Sequence, residues 1–150
     1  MRKSILVVTI LVSSLFSDFY REDSIVTDID RAFQWQDQNY SQAEIDGYNS
    51  GDSIDKVDSF ENAINYCESL VLDGYSDWRL PNFNEIYTLV DRNISNPALN
   101  PIFQNVPNGK YWSSTTVESN SDKGWVIDIE YANSEWLDKT TSAYIRCIRN

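Results

Sequence analysis

The most regular hydrophobic pattern in the chain lies between residues 60 and 70. Apolar side chains recur there at the spacing of one helix face, at Phe60, Ala63, Ile64, Cys67 and Leu70. Asp58 and Glu61 stand at the positions of a capping box, and Asp73 and Gly74 follow as a stop signal. The pattern predicts a helix that begins after Asp58 and turns Cys67 towards the core.

A second, shorter helix is predicted after residue 81. Asn82 and Glu85 stand at the positions of another capping box. An apolar stripe follows at Ile86, Leu89 and Val90. Pro81 comes directly before the cap and is expected to fix the approach of the chain to the helix.

The residues before this helix favour a structural role over a catalytic one. We expect Trp78 and Leu80 to fill the core, since both are large and apolar. Arg79 lies between them and would need a carboxylate partner if it were buried. Glu85 and Asp77 are the candidates for that partner.

Strand patterns occupy the two ends of the chain. Short β-type runs at 24–28 and 32–36 predict a hairpin. Four further strands are predicted in the last third, at 111–115, 124–131, 134–139 and 143–149. The chain is therefore predicted to be α+β, with a helix packed against a sheet whose final strand closes the domain.

Two segments are predicted to be irregular. Residues 37–58 are polar and rich in turn formers, which indicates a surface loop. The carboxylates of this segment lack the alternating spacing of a calcium loop, which favours a solvated acidic loop; they are Asp46, Asp52, Asp55 and Asp58. Residues 96–108 contain three of the prolines and predict a long connection.

The start of the chain predicts export. Arg2 and Lys3 precede an uncharged, mostly apolar run at 5–16, and a signal peptidase could cut after Ser14 or Ser17. A membrane anchor is the alternative, but the run is shorter than the roughly 20 apolar residues that a span requires. We therefore expect no membrane span in the mature protein.

The remaining sequence, residues 18–150, is predicted to form a single domain in the periplasm or outside the cell. The full chain has 12 basic and 23 acidic residues, with a net charge of -11, which disfavours binding to nucleic acid. It contains no histidine, which removes Ser-His-Asp triads, Cys-His dyads and histidine-ligated metals. We expect no enzymatic activity, no cofactor and no metal site.

Export changes the interpretation of the two cysteines, Cys67 and Cys147. An even pair in an oxidising compartment favours a disulfide. Cys147 shares a strand face with Ala143 and Ile145, so both cysteines are expected to point inward. The alternative, a reactive thiol, lacks a histidine that would lower its pKa.

Five blocks of sequence follow one another in the order typical of a bacterial family. They are 33–37, 63–70, 74–82 with Glu85, 111–115 and 145–149. Through them the chain resembles, over residues 24–150, the C-terminal domain of the Legionella collagen-like adhesin. The structural motif of that family is matched by Trp78, Arg79, Leu80, Pro81, Glu85 and Trp112. The resemblance implies a C-type-lectin-like fold of two helices on twisted antiparallel sheets, with a disulfide from the first helix to the last strand.

The leading functional hypothesis is a non-catalytic binding or adhesion module for a carbohydrate or protein ligand. Aromatic faces stack on sugars and anchor protein contacts. The candidate contacts in the C-terminal loops and strands are Tyr111, Trp136 and Tyr144. The alternative is a structural component of the envelope that contacts another protein.

Three other activities known for similar folds are not favoured. Formylglycine-generating enzymes use a cysteine pair to hold copper, whereas both cysteines here are assigned to the bridge, so such an enzyme is the weakest alternative. Calcium-dependent lectins need E-P-N or Q-P-D and W-N-D strings, which are absent. A sulfated glycosaminoglycan would need a basic patch, for which Lys139, Arg146 and Arg149 are the candidates.

Overall fold

The computed structural model describes residues 19–150, so the predicted signal peptide at 1–17 lies outside the described residues. The strands are β1 (Phe19–Glu22), β2 (Ile25–Asp28), β3 (Phe33–Gln36), β4 (Val57–Asp58), β5 (Lys110–Val117), β6 (Asn120–Asp128), β7 (Asn133–Asp138), β8 (Ala143–Tyr144) and β9 (Ile148–Arg149). The helices are α1 (Gln42–Ser50), α2 (Phe60–Ser69) and α3 (Phe83–Tyr87). The predicted α+β class is confirmed.

Two sheets organise this part of the chain. The smaller has the order β1-β2-β3-β9, and the larger has the order β4-β8-β5-β6-β7. The hairpin predicted at 24–36 is confirmed as β2 and β3. The single strand predicted at 143–149 is wrong, because β8 joins the larger sheet and β9 joins the smaller one. The end of the chain therefore ties the two sheets together.

The larger sheet is buried on both faces at its centre. Since alternate residues of a strand point to opposite faces, Trp112 and Val126 pack towards α2, while Tyr111 and Ile127 pack towards α3. At Gly124 of β6, a Cβ atom would lie 2.6 Å from the Phe60 ring. Glycine at this position allows α2 to approach the sheet closely.

A disulfide joins α2 to the end of the chain. Cys67 on α2 is bonded to Cys147, which directly precedes β9, with a Cα–Cα distance of 5.5 Å. Both sulfurs lie in the core beside Trp78 and Leu80. The predicted bridge from the helix at 60–70 to the end of the chain is confirmed.

The prediction that 37–58 is a surface loop is wrong, because this segment contains α1 and β4. The fold therefore has three helices in residues 19–150 rather than the two expected. Glu44 and Gly47 are the buried residues of α1, so the helix has no apolar stripe to reveal it. Caps stabilise it instead: Ser41 and Glu44 form a capping box, and Gly51 closes the C-terminus with a left-handed φ of 83°.

The ends of α2 also differ from the prediction. Ser59 is its N-cap, and the Asp58 carboxylate accepts from the Ser59 amide at 2.7 Å and from Asn62 at 3.0 Å rather than capping Glu61. Asp58 belongs to β4, which fixes it one residue too early to cap. The helix ends at Ser69, before the turn at 73–74 that was expected to stop it.

Within residues 19–150, no helix is long and apolar enough to cross a membrane.

Candidate functional site

The three aromatic residues proposed as ligand contacts occupy different environments. Tyr111 and Tyr144 lie in the core, with exposed fractions of 2% and 1%. Trp136 lies on β7 with an exposed fraction of 54%. A ligand in solution has access to Trp136 and not to the two tyrosines, so Trp136 is the starting point for a site.

Trp136 belongs to a continuous row of aromatic side chains, which we call the aromatic strip. Its members are Trp136, Trp125, Phe83 and Tyr87. The ring centroids of Trp136 and Trp125 are 5.4 Å apart, those of Trp125 and Phe83 are 5.3 Å apart, and those of Phe83 and Tyr87 are 5.7 Å apart. The last three side chains are half-buried, so the strip runs from an exposed end into the packed contact with α3.

The sheet and α3 together position the strip. Trp125 and Trp136 are direct partners in the β6–β7 ladder, which places their side chains on the same face. Phe83 is the first residue of α3, and its amide donates to the Thr115 hydroxyl of β5 at 3.0 Å. The predicted capping box of Asn82 and Glu85 is confirmed.

Charged side chains near the strip are paired. Lys123 donates to Asp138 at 2.8 Å. At the other end, Arg92 donates to the Tyr87 hydroxyl and lies 5.7 Å from the centre of that ring. The strip is therefore an apolar surface with an ion pair at one end and the positive charge of Arg92 at the other, suited to contact through its ring faces.

The predicted burial of Trp78 and Leu80 is confirmed. Trp78 and Leu80 are buried in the core with the disulfide. Arg79 pairs with Glu85, one of its two candidate partners, through two hydrogen bonds of 3.0 and 2.6 Å. Asp77 instead pairs with Arg149 at 2.6 Å.

A polar cluster in the core was missed at the sequence level. Arg146, with an exposed fraction of 2%, donates to Asp37 at 2.9 Å, and Asp37 is exposed by 1%. The guanidinium carbon of Arg146 lies within 6.0 Å of the rings of Tyr40, Tyr111 and Phe103. Asp37 and Arg146 lie in two of the family blocks, 33–37 and 145–149, but they stand 109 positions apart, so the sequence pattern does not show that they pair.

The buried tyrosines near Arg146 are poor acid–base groups. Burial raises the pKa of Tyr111 well above its usual range and raises the pKa of Tyr144 to about 12. Both phenols therefore stay neutral at physiological pH. Their contribution is packing: the Tyr144 ring stacks on Tyr48 with a centroid distance of 4.2 Å.

The candidate basic patch does not form. Arg146 is buried, and Arg149 is held by Asp77. Lys139 donates to the Thr116 hydroxyl at 2.8 Å and lies over the Phe60 ring. A sulfated polyanion would therefore find no cluster formed by these three cations.

A second surface feature is a polar groove between the β1–β2 hairpin and the turn at 73–74. It encloses about 240 Å³, and the half-exposed rings of Tyr20 and Tyr75 line it together with the carboxylates of Glu22 and Asp73. We call it the tyrosine groove. The groove is acidic and contains no member of the aromatic strip, so the two surfaces can be tested independently.

Among residues 19–150, no three His, Cys, Asp or Glu side chains come together to hold a metal ion. The carboxylates of the segment once expected to be a loop are dispersed by α1 and β4: Asp52 accepts from Ser50 at 2.7 Å, and Asp58 accepts from Asn62.

The fold and these surfaces define the class of protein as a disulfide-bridged α+β domain with an exposed aromatic strip. The family model of the Lcl C-terminal domain matches residues 24–149, and the chain belongs to this family. No curated protein matches the chain. Family membership and the disulfide together suggest an exported, adhesin-like module.

Proposed function

We propose that this chain is a non-catalytic binding module that holds a macromolecular ligand on the aromatic strip. The observation that carries the proposal is the exposure of Trp136, a large apolar side chain that stacks edge-on against Trp125 instead of entering the core. Exposed apolar surface of this kind is characteristic of interaction sites. The acidic charge of the chain and the burial of Arg146 support a ligand other than a polyanion.

The proposal includes export to the periplasm or the exterior. The confirmed bridge between Cys67 and Cys147 supports it, because disulfides persist in oxidising compartments. Mass spectrometry of the protein isolated from its host should find both cysteines bonded and residues 1–14 or 1–17 removed. A cytosolic protein with free thiols would contradict this part of the proposal.

The binding site is tested with two variants and a control. Wild type, Trp136→Ala and Tyr75→Ala are applied to a glycan array and to a displayed library of random peptides, with Tyr131→Ala as the control. Tyr131 is exposed by 68% but is not part of the strip. We expect Trp136→Ala alone to lose binding, by at least about tenfold or 1.4 kcal/mol. If Tyr75→Ala loses binding and Trp136→Ala retains it, the binding site lies in the tyrosine groove and not on the aromatic strip.

A further inference from the structure

β7 is the outer strand of the larger sheet, and its hydrogen-bonding pattern shows which of its backbone groups point outward. The Lys139 amide donates to the Asp122 carbonyl at 2.9 Å, which makes these residues a hydrogen-bonded pair. In an antiparallel ladder such pairs recur at every second residue. Asn133, Glu135 and Leu137 therefore bond to β6, whereas the N–H and C=O groups of Ser134, Trp136 and Asp138 face away from the sheet.

The other side of β6 gives the same assignment. The Ile129 amide donates to the Gly109 carbonyl at 3.1 Å, so in the part of β6 that pairs in register with Lys110–Trp112 the odd-numbered residues bond to β5 and the even-numbered ones bond to β7. The register between β6 and β7 runs without a bulge from Lys123 to Asp128. The outer edge of β7 is thus a regular strand edge.

This edge has charged side chains as its main protection. Natural edge strands are blunted by proline, by bulges, by a covering segment or by charged side chains, and of these β7 has the charges of Glu135 and Asp138. β7 has no proline, and in the part of the chain from 19 to 150 the outward groups of Ser134 and Trp136 have no backbone partner. The Asp138 carbonyl accepts from Thr141 at 2.8 Å, which closes one end of the edge.

We propose that β7 binds an extended segment of a partner polypeptide, which adds as a further strand and packs an apolar side chain against Trp136. The inference rests on the proposed function, since it names the ligand class of the same site. Outward donors and acceptors repeat about every 6.8 Å along a strand, which matches the repeat of another extended backbone. The aromatic strip beside the edge supplies the side-chain contact.

The ring geometry also favours a polypeptide over a row of sugar rings. Trp136 and Trp125 are inclined at 84°, and Trp125 and Phe83 at 47°. These inclinations leave no flat platform shared by the rings, whereas an inclined pair of rings leaves a notch that an aliphatic or aromatic side chain can fill. A carbohydrate ligand is therefore an outcome of the test rather than the proposal.

Charge selects the kind of segment. The chain carries a net charge of -11, so a second copy would bring an equal negative charge to the interface. Two carboxylates flank the edge, Glu135 paired with Lys110 at 2.6 Å and Asp138 paired with Lys123 at 2.8 Å, and both keep exposed side-chain area, 38% and 65%, so the complement to a basic segment comes from the net negative charge of the chain and from the exposed part of these pairs. A partner segment with Lys or Arg on either side of its apolar residue complements this surface.

The test separates strand addition from contact through side chains alone. A peptide is selected from a phage-displayed library of random 12-residue sequences on the purified exported protein, and its Kd is measured for Ser134→Pro and Ser134→Ala. Proline removes the outward N–H of Ser134 without removing a bond to β6, and alanine keeps that N–H. We expect Ser134→Ala to bind like wild type and Ser134→Pro to bind at least about tenfold more weakly.

A second measurement keeps the test decisive if Ser134→Pro fails to fold. Hydrogen exchange of the wild-type complex should show protection of the Ser134 and Trp136 amides. Full binding by Ser134→Pro or unprotected amides would overturn strand addition. If strand addition is overturned but Trp136→Ala still loses binding, the proposed function stands without the further inference. If Ser134→Pro and Trp136→Ala both bind like wild type, the proposed function and the further inference both fail. Three outcomes would overturn the partner proposed here. The protein would bind glycans and no peptide, the selected peptides would lack basic residues, or the protein would form a dimer that Ser134→Pro dissociates.

Discussion

The ion pair of Asp37 and Arg146 is the residue-level contact on which the junction of the two sheets depends. Asp37 follows β3, and Arg146 lies between the strands that enter the two sheets. Both side chains are almost fully buried. Asp37 also pairs with Arg21 and accepts from the Gln104 amide at 3.0 Å, so one carboxylate joins four segments of the chain.

Replacing Asp37 with Asn should destabilise the protein strongly. The substitution leaves the Arg146 guanidinium in the core without its counter-charge, which costs about 3–5 kcal/mol in comparable buried pairs. Urea denaturation measures the change in the free energy of unfolding. The matched control is Asp138→Asn, which removes an exposed partner of Lys123 and should cost less than about 1 kcal/mol. Equal effects of the two substitutions would contradict the assignment.

Arg79 is expected to make a smaller contribution. Its two hydrogen bonds to Glu85 link the segment before α3 to the helix cap, but 42% of its side chain is exposed. Arg79→Ala should therefore lower the free energy of unfolding by about 1 kcal/mol, with a corresponding fall in melting temperature. Lys123→Ala serves as the control and should leave the melting temperature unchanged. A neutral Arg79→Ala would show that the pair does not stabilise the fold.

At the scale of elements, α1 depends on Glu44. The Glu44 carboxylate accepts from the Ser41 amide at 2.6 Å, from the Lys56 amide at 2.9 Å and from the Lys56 ammonium at 3.1 Å. Burial alone would raise the pKa of Glu44, but these hydrogen bonds outweigh it and lower the pKa below its ordinary value near 4.5. One side chain therefore caps α1 and fixes the start of β4.

The stability that Glu44 provides should depend on pH. Because the pKa is lowered in the folded state, the contribution is fully present above the unfolded value near 4.5 and is lost as the pH falls through the folded value. Glu44→Gln should cost about 2 kcal/mol at pH 7, and the difference from wild type should shrink below pH 4.5. Chemical denaturation across pH 2.5 to 7 measures this difference, and a constant value would contradict the account.

The elements that the sequence predicts are those with an apolar stripe or an alternating face. α2, α3 and the strands predicted at 111–115, 124–131 and 134–139 carry such patterns and appear close to their predicted positions, whereas the strand predicted at 143–149 is divided between the two sheets. α1 was not predicted, because polar caps and Glu44 stabilise it in place of an apolar stripe. Its capping box at Ser41 was the one available signal. The exposure of Trp136 could not be predicted either, because Tyr111 and Tyr144 lie on strands with equally suitable patterns but are covered on both faces. The C-type-lectin-like fold remains a prediction from resemblance.

At the scale of the whole molecule, one covalent bond restrains most of the described chain. The bridge spans a sequence separation of 80 residues. In the chain-entropy model, a loop of this length stabilises the native state by roughly 4–5 kcal/mol. Guanidinium denaturation of Cys67→Ala/Cys147→Ala should show a loss of this size, and wild type reduced while unfolded and then refolded in reductant should show the same loss, because the bridge is buried in the native protein. A double variant as stable as the wild type would contradict a stapling role.

The central claim is that a ligand binds at the aromatic strip, and a chemical-shift map of the isotope-labelled exported protein tests it most directly. The protein is titrated with the ligand that the array or the peptide library selects. We expect shifts concentrated in β7 and in the indole signals of Trp125 and Trp136. Shifts confined to Tyr20, Tyr75 and their neighbours, with the two indole signals unmoved, would contradict the claim.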